Sequence, residues 1–276
     1  MELYHKILEL SKPIDKKFAH SNAVNSNFEI IFKTPVFHPR AKEVPHYKLT
    51  IDRVEDLLSN PLIRNNGSTI LIVDKSVSNL TFVKIFLAKN NTKSIILASI
   101  ESKVKVKRFL DELIQKRIPK KKGTTIVVIG GGLLLNVGAY IAEKIDANLI
   151  LFPTTVLSMA DGSGGKVRVN TIANERAYKH FYKSYYEPNA IVIDPRFLEK
   201  LPEKQIRIGL GEIVKHGLFQ SPKLFDFLDQ NSKKLFTNNE ILLKAILWTA
   251  NLKKICLDID VEENDNGSRR ILRGGH

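Results

Sequence analysis

Four short apolar runs recur through the middle of the chain, and they restrict the fold more than any other feature. Thr69–Asp74 (TILIVD), Ser94–Ser99 (SIILAS), Thr124–Ile129 (TTIVVI) and Asn148–Phe152 (NLILF) are of strand length and rich in β-branched residues. Between them lie stretches with helical character, Leu80–Lys89, Lys103–Lys116 and Leu134–Lys144. Strands that alternate with helices, and that are apolar throughout instead of every second residue, predict βαβ units and a parallel sheet covered on both faces. Ala190–Asp194 (AIVID) adds a further strand or a return hairpin. Residues 1–48 read as irregular, apart from one strand at Phe28–Phe32.

The texture changes after Pro202. Glu203–Phe219 and Asn239–Ile259 carry apolar residues at three-to-four spacing and read as long helices. A chain of 276 residues fits one large or two modest domains. The expected division is an α/β nucleotide-binding domain over residues 1–195 and a helical domain over 196–276.

Composition excludes several classes. No run reaches the roughly 18 apolar residues of a membrane helix, and the first residues have no apolar core like that of a signal peptide. A single cysteine, Cys256, rules out an intramolecular disulfide framework and fits a reducing compartment, with cytoplasm the default. The net charge of +14 raises nucleic acid as a partner. The densest basic run, Lys116–Lys122, is broken by Pro119, is followed by Gly123 and has no interleaved aromatics for base stacking. It reads as a solvated loop. The chain is expected to engage neither nucleic acid nor membrane, and its basic field suits phosphorylated small molecules.

Five motifs carry chemistry, and each also has a plain structural reading. Gly130-Gly131-Gly132 follows a strand and opens a helix, where free N–H groups can face a phosphate, or where the chain simply needs a tight turn. Thr154 and Thr155 end the next strand, where open α/β sheets bind ligands, or they form a helix cap. Asp161-Gly-Ser-Gly-Gly-Lys166 is a glycine-rich loop with one carboxylate and one ammonium, an anion nest or a surface loop. On the helix from Glu203, Glu212 shares a face with Lys215 and His216, as a functional cluster or an exposed ion pair. The terminus, Arg269 to His276, ends in a histidine that can ligate metal.

Taken in order, these motifs are specific. The series FPTT, GGKVRVN, EPNAIVIDP, LP and GLGEIVKHGL resembles the signature of the 3-dehydroquinate synthase-like sugar-phosphate cyclases. The resemblance runs from about Thr69 to His276 and is sharpest from Gly130 onward.

It implies an N-terminal parallel-sheet NAD-binding domain followed by the beginning of a mainly α-helical metal and substrate domain. It also implies a carbon–oxygen lyase that cyclises a phosphorylated seven-carbon sugar with elimination of phosphate. The cofactors would be NAD and a divalent metal, zinc or cobalt, and the active form would be a homodimer. By resemblance, Asp74 meets the adenosine ribose, Gly131 and Gly132 the pyrophosphate, and Thr154 and Thr155 the nicotinamide side. Asp161 sits near the nicotinamide ribose, and Asn136 and Lys179 occupy further cofactor-side positions. Lys166, Lys215, Lys253 and Arg269 serve the substrate, and Glu212 and His276 ligate the metal.

The chain departs from the pattern at Leu135, Asn136, Ile145-Asp146, His180 and Arg273, which bear on substrate more than on NAD. It also stops before the family's further histidine ligand. A fragment of a longer protein or a shortened, inactive relative is therefore expected. The alternatives are a metal-dependent polyol-phosphate dehydrogenase and a non-catalytic nucleotide-binding remnant.

Overall fold

The computed structural model describes residues 2–20, 27–59, 68–89, 93–260 and 271–272. In chain order the principal elements begin with α1 (Glu2–His20), β1 (Glu29–Lys33), β2 (His46–Ile51) and β3 (Thr69–Asp74). Then come α2 (Thr81–Lys89), β4 (Lys93–Leu97), α3 (Lys107–Arg117), β5 (Thr125–Gly130) and α4 (Gly132–Ile145). They continue with β6 (Asn148–Pro153), α5 (Val156–Asp161), β7 (Lys166–Ala173), β8 (Arg176–Tyr185) and β9 (Ala190–Ile193). The last are α6 (Glu203–Phe219), α7 (Pro222–Gln230) and α8 (Asn239–Ile259). Among the described residues no helix is long and apolar enough to cross a membrane.

The chain gathers into two compact units, neither of them contiguous. One comprises Lys33–Thr154 and Gly165–Asp194, the other Met1–Phe32, Thr155–Gly164 and Pro195–His276. The division expected near residue 195 falls at the last of four crossings, and three earlier ones precede it.

In the first unit six parallel strands lie in the order β2-β9-β6-β5-β3-β4. Ile72 pairs with Ile95 on one side and Val128 on the other, and Val128 pairs onward with Leu151. Every residue of β5 is buried, as are five of the six in β3 and in β6. That pattern explains why these strands read as unbroken apolar runs. AIVID becomes the parallel strand β9, not a return hairpin. Helix α4 lies so close to β5 that a Cβ on Gly138 would stand 2.1 Å from Val128 Cγ2. Tyr140 ties the same helix to α3 by donating to Asp111 Oδ1 at 2.6 Å. An antiparallel hairpin, β7–β8, completes the unit, its turn made by Asn174 and Glu175, both at positive φ.

The second unit is helical. Its centre is Trp248 of α8, fully buried and stacked on Phe18 of α1 with ring centroids 5.6 Å apart. Asp15 Oδ1 accepts from Ser221 Oγ at 2.5 Å and from Trp248 Nε1 at 3.0 Å. Residues 1–48 are therefore not irregular. Beside the expected strand, which forms as β1, they contain a 19-residue helix and the start of β2. The physical reason for the misreading is plain in α1: two of its four buried positions hold Ser11 and Asp15, and Pro13 sits mid-helix. Its inward face is half polar, so no apolar period shows.

Two outcomes follow from this packing. Gly138→Ala should lower stability by about 1–3 kcal/mol, the range for overpacking a filled core. Adding Val128→Ala should restore part of that loss in a chemical denaturation series, and a purely additive double variant would refute the close-approach explanation.

The second outcome concerns pH. Burial pushes the Asp15 carboxyl above its usual range, and the Ser221 and Trp248 donors offset this only in part. A raised folded-state value means that the carboxyl's contribution to stability is full below the unfolded value. It is lost as pH rises through the folded one. Asp15→Asn should therefore raise Tm at pH 7, with the gain shrinking as pH falls below the usual carboxylate range. A loss in Tm of equal size at pH 7 and at low pH would contradict this.

Candidate active site

In the parallel sheet, the connection after β3 leads to β4 on one side and the connection after β5 leads to β6 on the other. The crevice between the carboxyl ends of β3 and β5 is thus the topological switch point, where open α/β sheets receive ligands. Asp74 ends β3 and Gly130 ends β5, and a Cβ built on Gly130 would lie 3.4 Å from Asp74 Cβ. The three glycines divide in role. Gly130 is required by packing, because its Cβ would come within 2.9 Å of Leu134 Cβ. Gly132 is exposed, and a Cβ there would meet nothing within 4 Å. The fold itself makes no demand for glycine at 132, which leaves the bend open to something outside the chain.

Helix α4 begins at this bend with Gly131 as N-cap, no side-chain cap and no acidic residue in its first turn. Its positive end is therefore uncompensated by the chain. Asp74 Oδ1 accepts from the Ser76 amide at 2.9 Å and the Ser76 hydroxyl at 2.8 Å, and Oδ2 accepts from Ser99 Oγ. Thr154, buried, donates its amide to Gly130 O at 3.1 Å, linking the ends of β6 and β5. Asn136 spends its amide on the chain, donating to Gly132 O at 3.0 Å and accepting from the Arg168 amide at 2.7 Å. Asp74, Gly131, Gly132, Asn136 and Thr154 thus gather at one end of the sheet.

Lys166 and Lys179 do not gather with each other. Lys166 opens β7 opposite Tyr185, and Lys179 lies six residues further along β8. At about 3.4 Å per residue their backbones are roughly 20 Å apart. Gly165, just before Lys166, has φ +65°, and its Cβ would stand 2.9 Å from Glu187 Oε1.

Glu187 belongs to a buried polar group that sequence reasoning missed. Its carboxylate meets His38 Nδ1, and its carbonyl accepts from Arg40, whose guanidinium also reaches Asn189 Oδ1 at 3.3 Å. The EP pair within a motif was the only signal. Its histidine partner stands 149 positions away, beyond any local spacing.

In the helical unit, α5 packs against both α6 and α8. Thr155 caps α5, accepting from the Ser158 amide at 3.2 Å within a reciprocal capping box. The helix-cap reading of that hydroxyl is the one realised. At the other end of α5, Asp161 pairs with Lys253 of α8, whose ammonium also donates to Asp161 O at 2.5 Å. On α6, Lys215 Nζ lies 2.6 Å from Glu212 Oε1 and donates to Leu272 O at 2.8 Å. The bland expectation of an exposed ion pair fails here, since the two side chains are only 8% and 10% exposed. Burial alone would raise the Glu212 carboxyl. His216 and Lys215 outweigh it and hold the group down at about 2.

Arg269, Arg273 and His276 lie outside the described residues. Among the described residues no three His, Cys, Asp or Glu side chains form a metal-binding group.

Residues 94–208 match the family model described as 3-dehydroquinate synthase N-terminal. A 3-dehydroquinate synthase of Prochlorococcus marinus (strain MIT 9515) is 30% identical over 258 residues, covering 91% of this chain and 67% of that relative. Another, of Bartonella quintana (strain Toulouse), is 30% identical over 217 residues, covering 75% of this chain and 55% of that relative.

Solved structures show the same architecture. A 2-deoxy-scyllo-inosose synthase complexed with carbaglucose-6-phosphate, NAD+ and Co2+ aligns with TM-score 0.70 at 24% identity, over 89% of this chain and 66% of that one. ValA, the 2-epi-5-epi-valiolone synthase of Streptomyces hygroscopicus subsp. jinggangensis 5008 with NAD+ and Zn2+ bound, aligns with TM-score 0.64 at 23% identity, over 79% of this chain and 63% of that one. The chain belongs to the 3-dehydroquinate synthase family. It spans about half the length of several curated relatives that it matches, 55%, 43% and 44% for three of them.

The Asp161–Lys253 pair makes an asymmetric prediction. Lys253 is 7% exposed in its side chain and Asp161 45%. Removing the Asp161 side chain leaves a buried ammonium with a backbone carbonyl but no counter-charge in the pair, whereas removing Lys253 leaves a carboxylate that water can reach. Asp161→Ala should cost roughly 2–3 kcal/mol, discounted from the ~3–5 kcal/mol of a fully buried pair. Lys253→Met should cost about 1 kcal/mol or less. Equal losses in thermal melts would refute the asymmetry.

Proposed function

We propose that this chain supplies the NAD-binding part and the carboxylate metal ligand of a sugar-phosphate cyclase. Its substrate would be a phosphorylated seven-carbon sugar, which loses phosphate as the ring closes. The observation that carries this reading is the open glycine bend at the switch point, with Gly132 facing free space at the uncapped start of α4. A dinucleotide pyrophosphate fits such a bend because amide donors and the helix end favour its charge. Family membership and the NAD+ named with both neighbouring structures support the same reading.

In this proposal Gly131 and Gly132 hold the pyrophosphate, and Asp74, already oriented by Ser76 and Ser99, receives the adenosine ribose. Thr154 and Thr155 border the nicotinamide, and Asp161 lies near its ribose. Asn136 acts by bracing the first turn of α4. Lys179, exposed on β8, adds a cation on the cofactor side. Glu212 suits a divalent metal, because its buried carboxylate stays ionised. His276 would add an imidazole. When bound, the dinucleotide supplies a hydride acceptor that returns the hydride within one turnover, and the metal supplies Lewis-acid polarisation of an oxidised carbon's oxygen.

The chain's own residues bind and orient. Lys215 and Lys253 present buried ammonium groups, each held by one carboxylate, as counter-charges for an anionic substrate. Lys166 and Arg269 add cationic groups for phosphate. Gly165, at positive φ against Glu187, sets the backbone from which Lys166 projects.

Two measurements test the reading. Gly132→Val should leave thermal stability within about 0.5 kcal/mol, as an exposed substitution with room for its side chain. It should weaken NAD by at least tenfold in calorimetry, and undiminished affinity would make the bend merely structural. Incubation with NAD, Zn2+ and heptulose phosphates should release inorganic phosphate without net NADH. Net NADH without phosphate would identify a polyol-phosphate dehydrogenase instead, and neither product a non-catalytic remnant.

A further inference from the structure

We infer that His38 and Arg40 are positioning residues for Lys166, acting through the tripeptide Tyr185-Tyr186-Glu187. The inference rests on the phosphate role proposed for Lys166 and names what holds that lysine in place.

Lys166 takes its place from the strand beside it. It pairs with Tyr185 at the start of β7, and Tyr186 donates its amide to Gly165 O at 2.7 Å. Gly165 has φ +65°, and a Cβ there would stand 2.9 Å from Glu187 Oε1 and 3.0 Å from Glu187 Cδ. The Glu187 side chain thus lies directly on the peptide that leads into Lys166. A shift of residues 185–187 would carry Gly165 and the root of Lys166 with it.

Those three residues are each gripped from the segment before β2. The His38 ring lies against Tyr185 with centroids 4.3 Å apart, and its Nδ1 meets Glu187 Oε1. The Arg40 guanidinium stands 4.3 Å from the centre of the Tyr186 ring and donates to Glu187 O. It also donates to Asn189 Oδ1 at 3.3 Å. That oxygen accepts from the Leu149 amide at 2.9 Å, and the Tyr186 hydroxyl donates to Ala147 O at 2.6 Å, so the group is tied to the start of β6. The gripping segment is itself closed, with Thr34 donating its amide to Pro45 O at 3.0 Å and Val44 donating to Arg40 O at 2.8 Å.

Packing alone does not call for these residue types. His38, Arg40 and Glu187 are all buried. Taking such groups out of water costs about as much as their attraction returns, and apolar side chains would fill the space as well. What the polar set adds is direction. Hydrogen bonds and a planar guanidinium accept one arrangement where apolar contacts tolerate several. A lysine gains from that help, because its ammonium is a point charge on a flexible four-carbon stem. Fixing the backbone at the root of the stem narrows where the charge can go.

The test is a double-variant cycle on the whole chain, read as affinity for inorganic phosphate by phosphorus NMR. His38→Phe keeps a ring against Tyr185 and removes Nδ1, and it should weaken phosphate by about fivefold. His38→Asn places an amide nitrogen where Nδ1 stood and should keep most of the affinity. In a Lys166→Ala background His38→Phe should cost nothing further. The same loss in both backgrounds, unchanged affinity in His38→Phe, or a loss in His38→Asn as large as in His38→Phe would each overturn the inference alone. Where His38→Phe does not fold, Arg40→Lys decides by the same comparison, since it keeps the charge and loses the planar fork. Phosphate affinity unmoved by Lys166→Ala overturns the proposed role of Lys166 and this inference together.

Discussion

Strand β5 is buried on both faces, and the arrangement of the α/β unit follows from what that demands. A strand covered on both sides must be apolar throughout, must pair with β3 and β6, and must take its covering helix at short range. Gly138 shows how short, since the helix passes Val128 where no side chain fits. The connection that brings α4 to that position starts at Gly130, Gly131 and Gly132. The close packing and the open bend are thus two ends of one geometric requirement. Of the three glycines, one serves packing and one faces free space, and only the latter speaks of a ligand.

The helical unit is organised differently, around charges that have been taken out of water. Two lysines, Lys215 and Lys253, are buried against single carboxylates on α6 and α5. Such pairs add little to stability, because desolvation offsets most of the attraction. In the proposed reading they are counter-charges for an anionic substrate. The two carboxylates differ in surroundings: Asp161 is half exposed, whereas Glu212 is enclosed between an ammonium and an imidazole.

Much of this was legible beforehand, for identifiable reasons. TILIVD and NLILF read as buried parallel strands because nothing polar interrupts them, and α6 and α8 begin and end where their three-to-four spacing does. Helix α1 was invisible because Ser11 and Asp15 occupy its inward face. The β7–β8 hairpin escaped because no residue of β8 is buried, which removes any alternation, and because its turn uses Glu175 at positive φ instead of a glycine. Within the site, the glycine bend and the face shared by Glu212, Lys215 and His216 could be read from local spacing. The pairing of His38 with Glu187 could not, since it depends on the tertiary fold and has no local counterpart.

Asp15 has a consequence for how the chain is made. Its two hydrogen-bond donors lie 206 and 233 positions downstream. At synthesis rates of about 5–20 residues per second, α1 leaves the ribosome roughly 10–50 s before Trp248 exists to receive it. Throughout that interval Phe18 has Phe28 beside it but not the Trp248 ring on which it stacks, so the inward face of α1 stays incompletely covered and open to chaperone capture or misassociation until α8 is made.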